Sequence, residues 1–294
     1  MTAALGIVLR PEGQRLVVTV TPPDPLPVAA LMLGKPPEEV AALLPRLFNL
    51  CGAAQGHAAR LALGLAADEM PARREILRDH LAKLCLIWPK LLGLTPQPLP
   101  EGWANGGHAL QHWLWGGAKP ADLWSFLTSG QGVAPLLATL GHAFAPGEAV
   151  AVLPPLTDPM ALTAQENSPA GRVADDPLMH QAEARFGRGP LWRALGRVVD
   201  LHHLALAPPA AETLRPGLAL VTAARGTYAL SARAEAGMVT ALSRVTPTDH
   251  LLAPGGALAL ALASLPAAKA GLAALVIDIL DPCVAVSVRE LAHA

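Results

Sequence analysis

The chain has 294 residues, of which 52% are hydrophobic and only 15% are charged. A sequence this apolar falls outside the disordered class, which combines low hydrophobicity with high net charge. The formal net charge of -1 at pH 7 gives no basic footprint for nucleic acid. The length suffices for one large domain or two small ones with a sizeable buried core.

The cysteine content indicates a reducing compartment. Cys51, Cys85 and Cys283 are odd in number and far apart in the sequence, which argues against a disulfide framework. The N-terminal stretch MTAALGIVLRPEGQ has neither the charged segment nor the long apolar segment of a secretory signal, and it carries no lipidation motif. We therefore expect a cytoplasmic protein.

The first third of the chain is predicted as a β-hairpin followed by helices. GIVLR and RLVVTV are short apolar runs separated by PEGQ, so residues 1–32 are expected to form the hairpin segment. The following TPPDPLP ends it, because proline cannot donate to a strand ladder. KPPEEV then opens a helix with proline in its first turn. Apolar residues recur at three- and four-residue spacing beyond it, so residues 33–94 are predicted to be helical.

The remaining two thirds are predicted to contain mainly helices and turns. The segment 95–205 opens with a stretch rich in proline, glycine and tryptophan, which we interpret as a surface excursion with a short helix. Helices are expected over 121–129 and 178–204, and residues 206–294 are expected to alternate turns with Ala/Leu helices. The whole chain, residues 1–294, is predicted to be a single α+β domain that is mainly helical.

One segment has the length of a membrane span. LLAPGGALALALASLPAA, residues 251–268, carries no charge. Its prolines and glycines favour a buried loop and a short helix instead, so no membrane insertion is expected.

Two of the three thiols occupy positions where chemistry is plausible. Cys51 precedes a helical run, and a helix N-terminus favours a thiolate. Cys283 follows an Asp-Pro pair in DPCVAVSVR. The alternative for both is a small buried hydrophobic residue, the common fate of a free cysteine, and Cys85 on an apolar helix face is expected to be core. His57 could add a metal ligand, although a histidine in an alanine-rich helix more often simply packs.

Four segments, in their order, carry a family resemblance. They are PRLFNLCGAAQGHAA, LVTAARGTYAL, RVTPTDHLLAP and DPCVAVSVR. The first and last align without gaps with the motifs Arg-x-Cys-Gly-x-Cys-x-x-x-His and Asp-Pro-Cys-x-x-Cys-x-x-His of the large subunit of nickel–iron hydrogenases. The middle two resemble the Pro-Arg-Gly and Val-Val-Pro-Ser/Thr-Thr segments of that family. The resemblance covers most of the chain, with 95–205 as a shortened middle region, and it implies a large-subunit-like fold with a small N-terminal sheet.

The departures from this family concern its metal ligands. The large subunits hold nickel with four thiolates, two of which bridge to an iron carrying one CO and two cyanides. This chain keeps one cysteine of each pair, Cys51 and Cys283, whereas Phe48 and Val286 replace the others. Two thiolates are too few for the nickel site. The resemblance therefore implies that Cys51 and Cys283 hold an Fe(CN)2CO unit transiently, without nickel.

The resemblance also implies contacts to the diatomic ligands. Arg225 offers fixed N–H donors to a cyanide, and Thr248 offers a hydroxyl. The alternatives are a surface or salt-bridging arginine for Arg225 and a turn or helix cap for Thr248. Gln55, at the position of the first motif's histidine, and His57 are possible additional ligands.

This combination is similar to the HupK/HoxV family of hydrogenase accessory proteins. The similarity implies a non-catalytic maturation scaffold that assembles or transfers the Fe(CN)2CO unit. Its implied partners are a HypC-type chaperone, a HypD-type scaffold and the hydrogenase large subunit. The stretch around Trp103, Trp113 and Trp115 is one candidate docking surface, because tryptophans often anchor interfaces, with core packing as the alternative.

Two other functions compete with the scaffold. One is a metal-free mimic of the large subunit that binds maturation factors by its surface alone. The other is a degenerate redox-complex subunit, like the related respiratory quinone-reducing subunit. The retained cysteines argue against that subunit, and the missing ones argue against hydrogen turnover. The scaffold hypothesis requires that the sulfurs of Cys51 and Cys283 lie close enough to share one ion. Placement of Arg225 over the same cavity would support it.

Overall fold

The chain folds into two β-sheets packed among helices. A computed structural model describes residues 4–48 and 50–291. About 47% of the chain is helix and 18% strand, which confirms the predicted α+β class with helix in excess.

The N-terminal sheet joins the two ends of the described chain. Strands β1 (Leu5–Glu12) and β2 (Arg15–Thr21) form the predicted antiparallel hairpin. A third strand, β7 (Val286–Glu290), pairs in parallel with the other edge of β1. It directly follows the segment that carries Cys283, so the sheet anchors that segment against the start of the chain.

Helices follow this sheet over much of the chain, as predicted for 33–94. Their bounds, in chain order, are α1 (Val28–Met32), α2 (Pro37–Leu43), α3 (Gly52–Ala62), α4 (Met70–Ala82), α5 (Trp88–Leu91), α6 (Gly107–Trp115), α7 (Leu123–Thr128), α8 (Ala134–Ala143), α9 (Pro169–Arg172), α10 (Pro177–Phe186), α11 (Pro190–Leu206), α12 (Pro247–Leu252), α13 (Ala257–Ala263) and α14 (Ala273–Leu280). A π-helical turn, Lys83–Ile87, joins α4 to α5.

The long helix predicted over 178–204 is in fact two helices. Gly187 has the left-handed φ of 74° that ends α10, and Pro190 occupies the first turn of α11. Helix α11 is buried on nearly all sides. It carries Arg193, Arg197 and Asp200 into the interior, where each has an ionic partner.

The prediction of helices and turns over 206–294 is confirmed by α12, α13 and α14 but is wrong for the residues before α12. Four strands, β3 (Ala211–Arg215), β4 (Leu218–Ala223), β5 (Gly226–Glu235) and β6 (Met238–Val245), form an antiparallel sheet in that order. Their many alanines have low strand propensity and obscure the alternation of buried and exposed positions. The sheet matters for the site because Arg225 lies in the tight turn between β4 and β5.

The uncharged segment 251–268 forms the end of α12, a loop and α13, as predicted. Of the helices in the described ranges, none combines the length and the apolar character that a membrane-spanning segment needs.

The aromatic docking surface is not supported by the packing of Trp115. This side chain is 3% exposed, its ring lies 5.2 Å from that of Phe126, and its indole N–H donates to His202 Nδ1 at 3.1 Å. Trp103 and Trp113 are partly buried against the same core. The prediction of an exposed tryptophan surface is therefore wrong for Trp115, because α6 turns this face inward and gives the indole a polar partner.

Candidate functional site

The two cysteine motifs meet in the interior. The sulfurs of Cys51 and Cys283 lie 3.7 Å apart, although 232 positions separate the residues. Cys51 is 7% exposed, Cys283 is half-buried, and both thiols are free. The pair is close enough for one metal ion to contact both sulfurs.

The backbone at Cys51 is held by the neighbouring helix. Cys51 is the N-cap of α3 in the left-handed conformation, with φ 54°. The Glu75 carboxylate on α4 accepts from the N–H of Ala53 at 3.0 Å and from that of Ala54 at 3.3 Å. These donors would otherwise be unpaired at the helix start. Glu75 thus occupies the N–H groups expected to favour the Cys51 thiolate, and its burial raises its own pKa.

Arg225 places a positive charge next to the Cys51 sulfur. Its Nη1 donates to Cys51 Sγ at 3.2 Å. The rest of the guanidinium faces carboxylates, with Nη2 at 3.2 Å from Asp281 Oδ1 and 3.4 Å from Asp79 Oδ1. The side chain is buried, so the alternative of a surface arginine is wrong, whereas the alternative of a salt-bridging arginine is confirmed by the ion pairs with Asp281 and Asp79. Burial alone would lower the pKa of Arg225, but the Asp281 carboxylate raises it, so the group stays charged.

Asp281 connects the arginine to the second cysteine motif. It too has a left-handed backbone, with φ 58°. Besides Arg225 it contacts Arg197 Nη2 at 2.8 Å and Lys83 Nζ at 3.0 Å. Full burial would raise its pKa, but Arg197, Arg225 and Lys83 lower it to about 2. Asp281 lies two residues before Cys283 in the sequence. Its ionised carboxylate therefore holds Arg225 next to the second cysteine motif.

Thr248 holds the backbone of Cys283. Its buried Oγ1 accepts from the Cys283 N–H at 2.9 Å. The N-cap of α12 is Thr246, whose hydroxyl accepts from the Asp249 N–H in a capping box. The alternative of Thr248 as a helix cap is therefore wrong, and its hydroxyl belongs to the site.

The two thiols form a hydrogen-bonded pair in which either sulfur can be the donor. The hydrogen bond from Cys283 lowers the pKa of Cys51, and Arg225 adds to this against the effect of burial. The same hydrogen bond and burial raise the pKa of Cys283 well above its usual range. These opposite shifts favour loss of a proton from Cys51 before Cys283.

The structure separates Gln55 from His57. The buried Gln55 amide lies beside β5, where its Oε1 accepts from the Tyr228 hydroxyl at 3.5 Å. Two residues further along a helix a side chain points to nearly the opposite side. His57 Nδ1 accordingly lies 2.8 Å from the Asp68 carbonyl oxygen, in a groove lined by Pro45, Arg60 and other residues but by neither thiol. His57 is thus not brought to the thiol pair, contrary to the expectation of a possible ligand.

A small cavity lies next to Arg225. Its volume is about 20 Å³, and its lining includes Arg225, Thr248 and Asp281 but neither cysteine. Glu166 and Arg193 line it as well and form a buried bidentate pair with both N–O distances at 3.0 Å. This space is roughly that of one water molecule, so it can hold only a group of one or two heavy atoms.

Sequence reasoning missed the charged groups that support the site. They are Glu75, Asp79, Lys83 and Arg197. A usable signal exists on α4 and the turn after it, where Arg73, His80 and Lys83 fall in phase with the buried Ile76 and Leu77. Charged residues in the apolar stripe of a helix indicate buried ionic partners.

Solved structures identify the class of fold. The chain superposes on the Ni-Fe-Se hydrogenase of D. vulgaris Hildenborough in the reduced state with a TM-score of 0.59 and 13% identity, over 92% of this chain and 94% of that one. A variant of the [NiFeSe] enzyme from the same organism gives a TM-score of 0.61 at 12% identity, over 96% of this chain and 99% of that one. An NAD+-reducing [NiFe]-hydrogenase gives 0.53 at 14%, over 92% of each chain. The predicted hydrogenase large-subunit-like fold is therefore confirmed.

Curated relatives identify the family within that fold. The chain is 90% identical over all 294 residues, and over 100% of both chains, to the hydrogenase expression/formation protein HupK of Rhodobacter capsulatus. Over 77 residues, 23% of this chain and 20% of the relative, it is 43% identical to the hydrogenase expression/formation protein HoxV of Cupriavidus necator. No family model matches the chain. The chain belongs to the HupK family of hydrogenase expression/formation proteins.

Proposed function

We propose that this protein is a non-catalytic scaffold that holds an Fe(CN)2CO unit between Cys51 and Cys283 before the unit passes to the large subunit of a nickel–iron hydrogenase. The observation that carries the proposal is the thiol pair, with sulfurs 3.7 Å apart beside a buried arginine.

The number and spacing of the sulfurs suit this cargo. An iron that already carries three diatomic ligands needs few ligands from the protein, and the site offers two. With metal–sulfur bonds of about 2.3 Å, as in zinc thiolate sites, a separation of 3.7 Å corresponds to an S–metal–S angle of about 107°. Closing the pair by about 0.5 Å would give the right angle of an octahedral ion at the same bond length.

Binding requires that both thiols lose their protons, because thiolates are the metal ligands. Arg225 lies 3.2 Å from the Cys51 sulfur and offers a positive charge there, whereas the Cys283 sulfur has the Cys51 sulfur as its partner. The first contact is therefore expected at Cys51 and the second at Cys283.

We assign the contacts to the cyanides to Arg225 and Thr248. Arg225 is held in place by Asp281 and Asp79, so its N–H groups need no reordering to meet an anionic ligand. Thr248 lines the same small cavity as Arg225. Each also contacts a cysteine, Arg225 at the Cys51 sulfur and Thr248 at the Cys283 N–H, which supports this assignment over a purely structural role.

The positions of the two lost cysteines serve other contacts. Phe48 packs beneath the guanidinium of Arg244, which lies 4.6 Å from the ring centroid. Val286 pairs with Leu5 at the start of β7. Neither position offers a sulfur, so the site lacks the four thiolates that nickel would need, and two ligands bind a cargo more weakly than four. Weaker binding suits transfer between a HypC-type chaperone, a HypD-type scaffold and the large subunit.

Infrared spectroscopy tests the proposal directly. The protein is purified without oxygen after coexpression with its hydrogenase maturation partners, as wild type, Cys51→Ser and the matched control Cys85→Ser. We expect two cyanide stretches and one CO stretch in the wild type and in Cys85→Ser, and their loss in Cys51→Ser. A spectrum without these stretches from protein still bound to its partners would overturn the proposal and favour the metal-free mimic.

A further inference from the structure

We propose that Cys51 and Cys283 form a reversible disulfide with each other when the iron-free protein meets a peroxide. The thiol pair would then be a site of covalent modification as well as a cargo site. The modification rests on the geometry of the pair, and only its consequence, closure of the site to iron, rests on the proposed function.

The geometry requires a short movement. A disulfide has a sulfur–sulfur distance of about 2.05 Å, so the pair at 3.7 Å must close by about 1.6 Å. Both residues lie in bends outside helices and strands. Cys283 is bounded by Pro282 on one side and by the short segment before β7 on the other. We expect rotation of the two side chains, with an adjustment of this segment, to close the distance.

The chemistry is divided between the two sulfurs. The Cys51 sulfur, which faces Arg225, attacks one oxygen of hydrogen peroxide and releases hydroxide, giving a sulfenic acid. The Cys283 sulfur then attacks that sulfur, the S–O bond breaks, and the hydroxyl leaves as water with the thiol proton. In total, two thiols and one peroxide give one disulfide and two waters. Two equivalents of a small-molecule thiol reverse the reaction by exchange.

The third cysteine provides an internal control. Cys85 is buried in the π-helical turn of Lys83–Ile87, and burial raises the pKa of its thiol to about 11. It has no sulfur within hydrogen-bond distance among the described residues. A thiol in this state reacts slowly, so Cys85 should stay reduced under conditions that oxidise the pair.

The experiment treats purified iron-free protein with one equivalent of hydrogen peroxide and then counts thiols by alkylation and intact mass. We expect the loss of two of the three alkylatable thiols, a mass decrease of about 2 Da from the two lost hydrogens, and a peptide linking Cys51 to Cys283. Excess dithiothreitol should restore all three. Cys85→Ser should behave as the wild type does, whereas Cys51→Ser and Cys283→Ser should give no internal cross-link.

Two outcomes would overturn the inference. One is oxidation of Cys51 to a sulfinic acid without a cross-link, and the other is a dimer linked through Cys283. Infrared spectra of separately loaded protein distinguish this failure from that of the proposed function. Cyanide and CO stretches without any disulfide would leave the scaffold standing and reject the switch. A disulfide in protein that never shows these stretches would do the reverse.

Discussion

The two cysteines of the site are held in different ways. We refer to each cysteine with the residues that position it as the Cys51 arm and the Cys283 arm. The Cys51 sulfur is held by charge, through the guanidinium of Arg225, and its helix start is held by Glu75. The Cys283 arm is held by its backbone, through the Thr248 hydroxyl and the pairing of β7 with β1. One sulfur is therefore supported directly by a charged side chain, whereas the other is positioned only through its backbone.

The largest expected effect comes from Asp281, which serves both arms. Asp281→Asn leaves Arg197, Arg225 and Lys83 without their shared buried carboxylate. Uncompensated buried charge of this kind costs about 3–5 kcal/mol of unfolding free energy, measurable by urea denaturation. Asp278→Asn is the matched control, because its side chain also contacts Lys83 but is 26% exposed. Equal losses in the two variants would contradict the central role of Asp281.

Asp281 should also make the free energy of unfolding depend on pH. The pKa of Asp281 is lowered from its usual 3.8 to about 2 in the folded protein. A carboxylate with a lowered folded-state pKa stabilises the fold above its unfolded-state pKa, and this contribution is lost as the pH falls through the folded-state value. The stability difference between wild type and Asp281→Asn should therefore be constant above about pH 5 and shrink between about pH 4 and 2. A difference unchanged at the acid end of this range would contradict this.

Arg225→Met removes the positive charge that lies next to the Cys51 sulfur. Without the guanidinium the pKa of Cys51 should rise, because Arg225 stabilises the thiolate. The pH dependence of iodoacetamide alkylation, followed peptide by peptide, should then shift to higher pH for Cys51. Arg244→Met is the control, since Arg244 stacks on Phe48 rather than contacting a sulfur. An unchanged Cys51 profile would show that the Cys283 hydrogen bond alone sets its charge.

Thr248→Val removes the hydroxyl that holds the Cys283 backbone. Thr246→Val, at the helix cap of α12, is its control. Thr248→Val leaves the Cys283 N–H without its acceptor, at a cost of about 1–3 kcal/mol, and it should change the rate of the Cys51–Cys283 cross-link. Thr246→Val removes the α12 cap for a similar cost of about 1 kcal/mol but should leave that rate unchanged. Thr248→Ser should restore the wild-type rate. If both valine variants alter the cross-link alike, the effect belongs to α12 and not to Thr248.

The sequence predicted the residues that carry motifs. It did not predict the strands whose alanines obscure the alternation of buried and exposed positions. The convergence of Cys51 and Cys283 followed from the order of four degenerate segments, and helices with proline in the first turn, such as α2, were readable from local signals. The sheet of β3–β6 was not, because alanines in strands such as β5 carry neither β-propensity nor a clear alternation. The strand at Val286 was missed since its partner, β1, lies at the far end of the chain.

Of the supporting charged residues, only Lys83 has a local signal in the sequence, its phase with the buried residues of α4. Glu75 and Asp79 acquire their roles only when α4 packs beside Arg225 and the start of α3, and no local spacing encodes that packing. Arg197 likewise meets Asp281 across 84 positions. The sequence therefore predicted candidate ligand residues but not most of the charged groups around them.

The smallest expected effect comes from His57, on the face of α3 turned away from the thiols. His57→Ala removes the contact with the Asp68 carbonyl but should leave the cyanide and CO stretches of the loaded protein at their wild-type positions. Gln55→Leu, one half-turn away beside Tyr228, is the informative companion, because a shift there would show that the cargo senses the amide. Loss of the stretches in His57→Ala would require α3 to rotate when cargo binds, which would carry Cys51 away from Arg225 and contradict the charge-held arm.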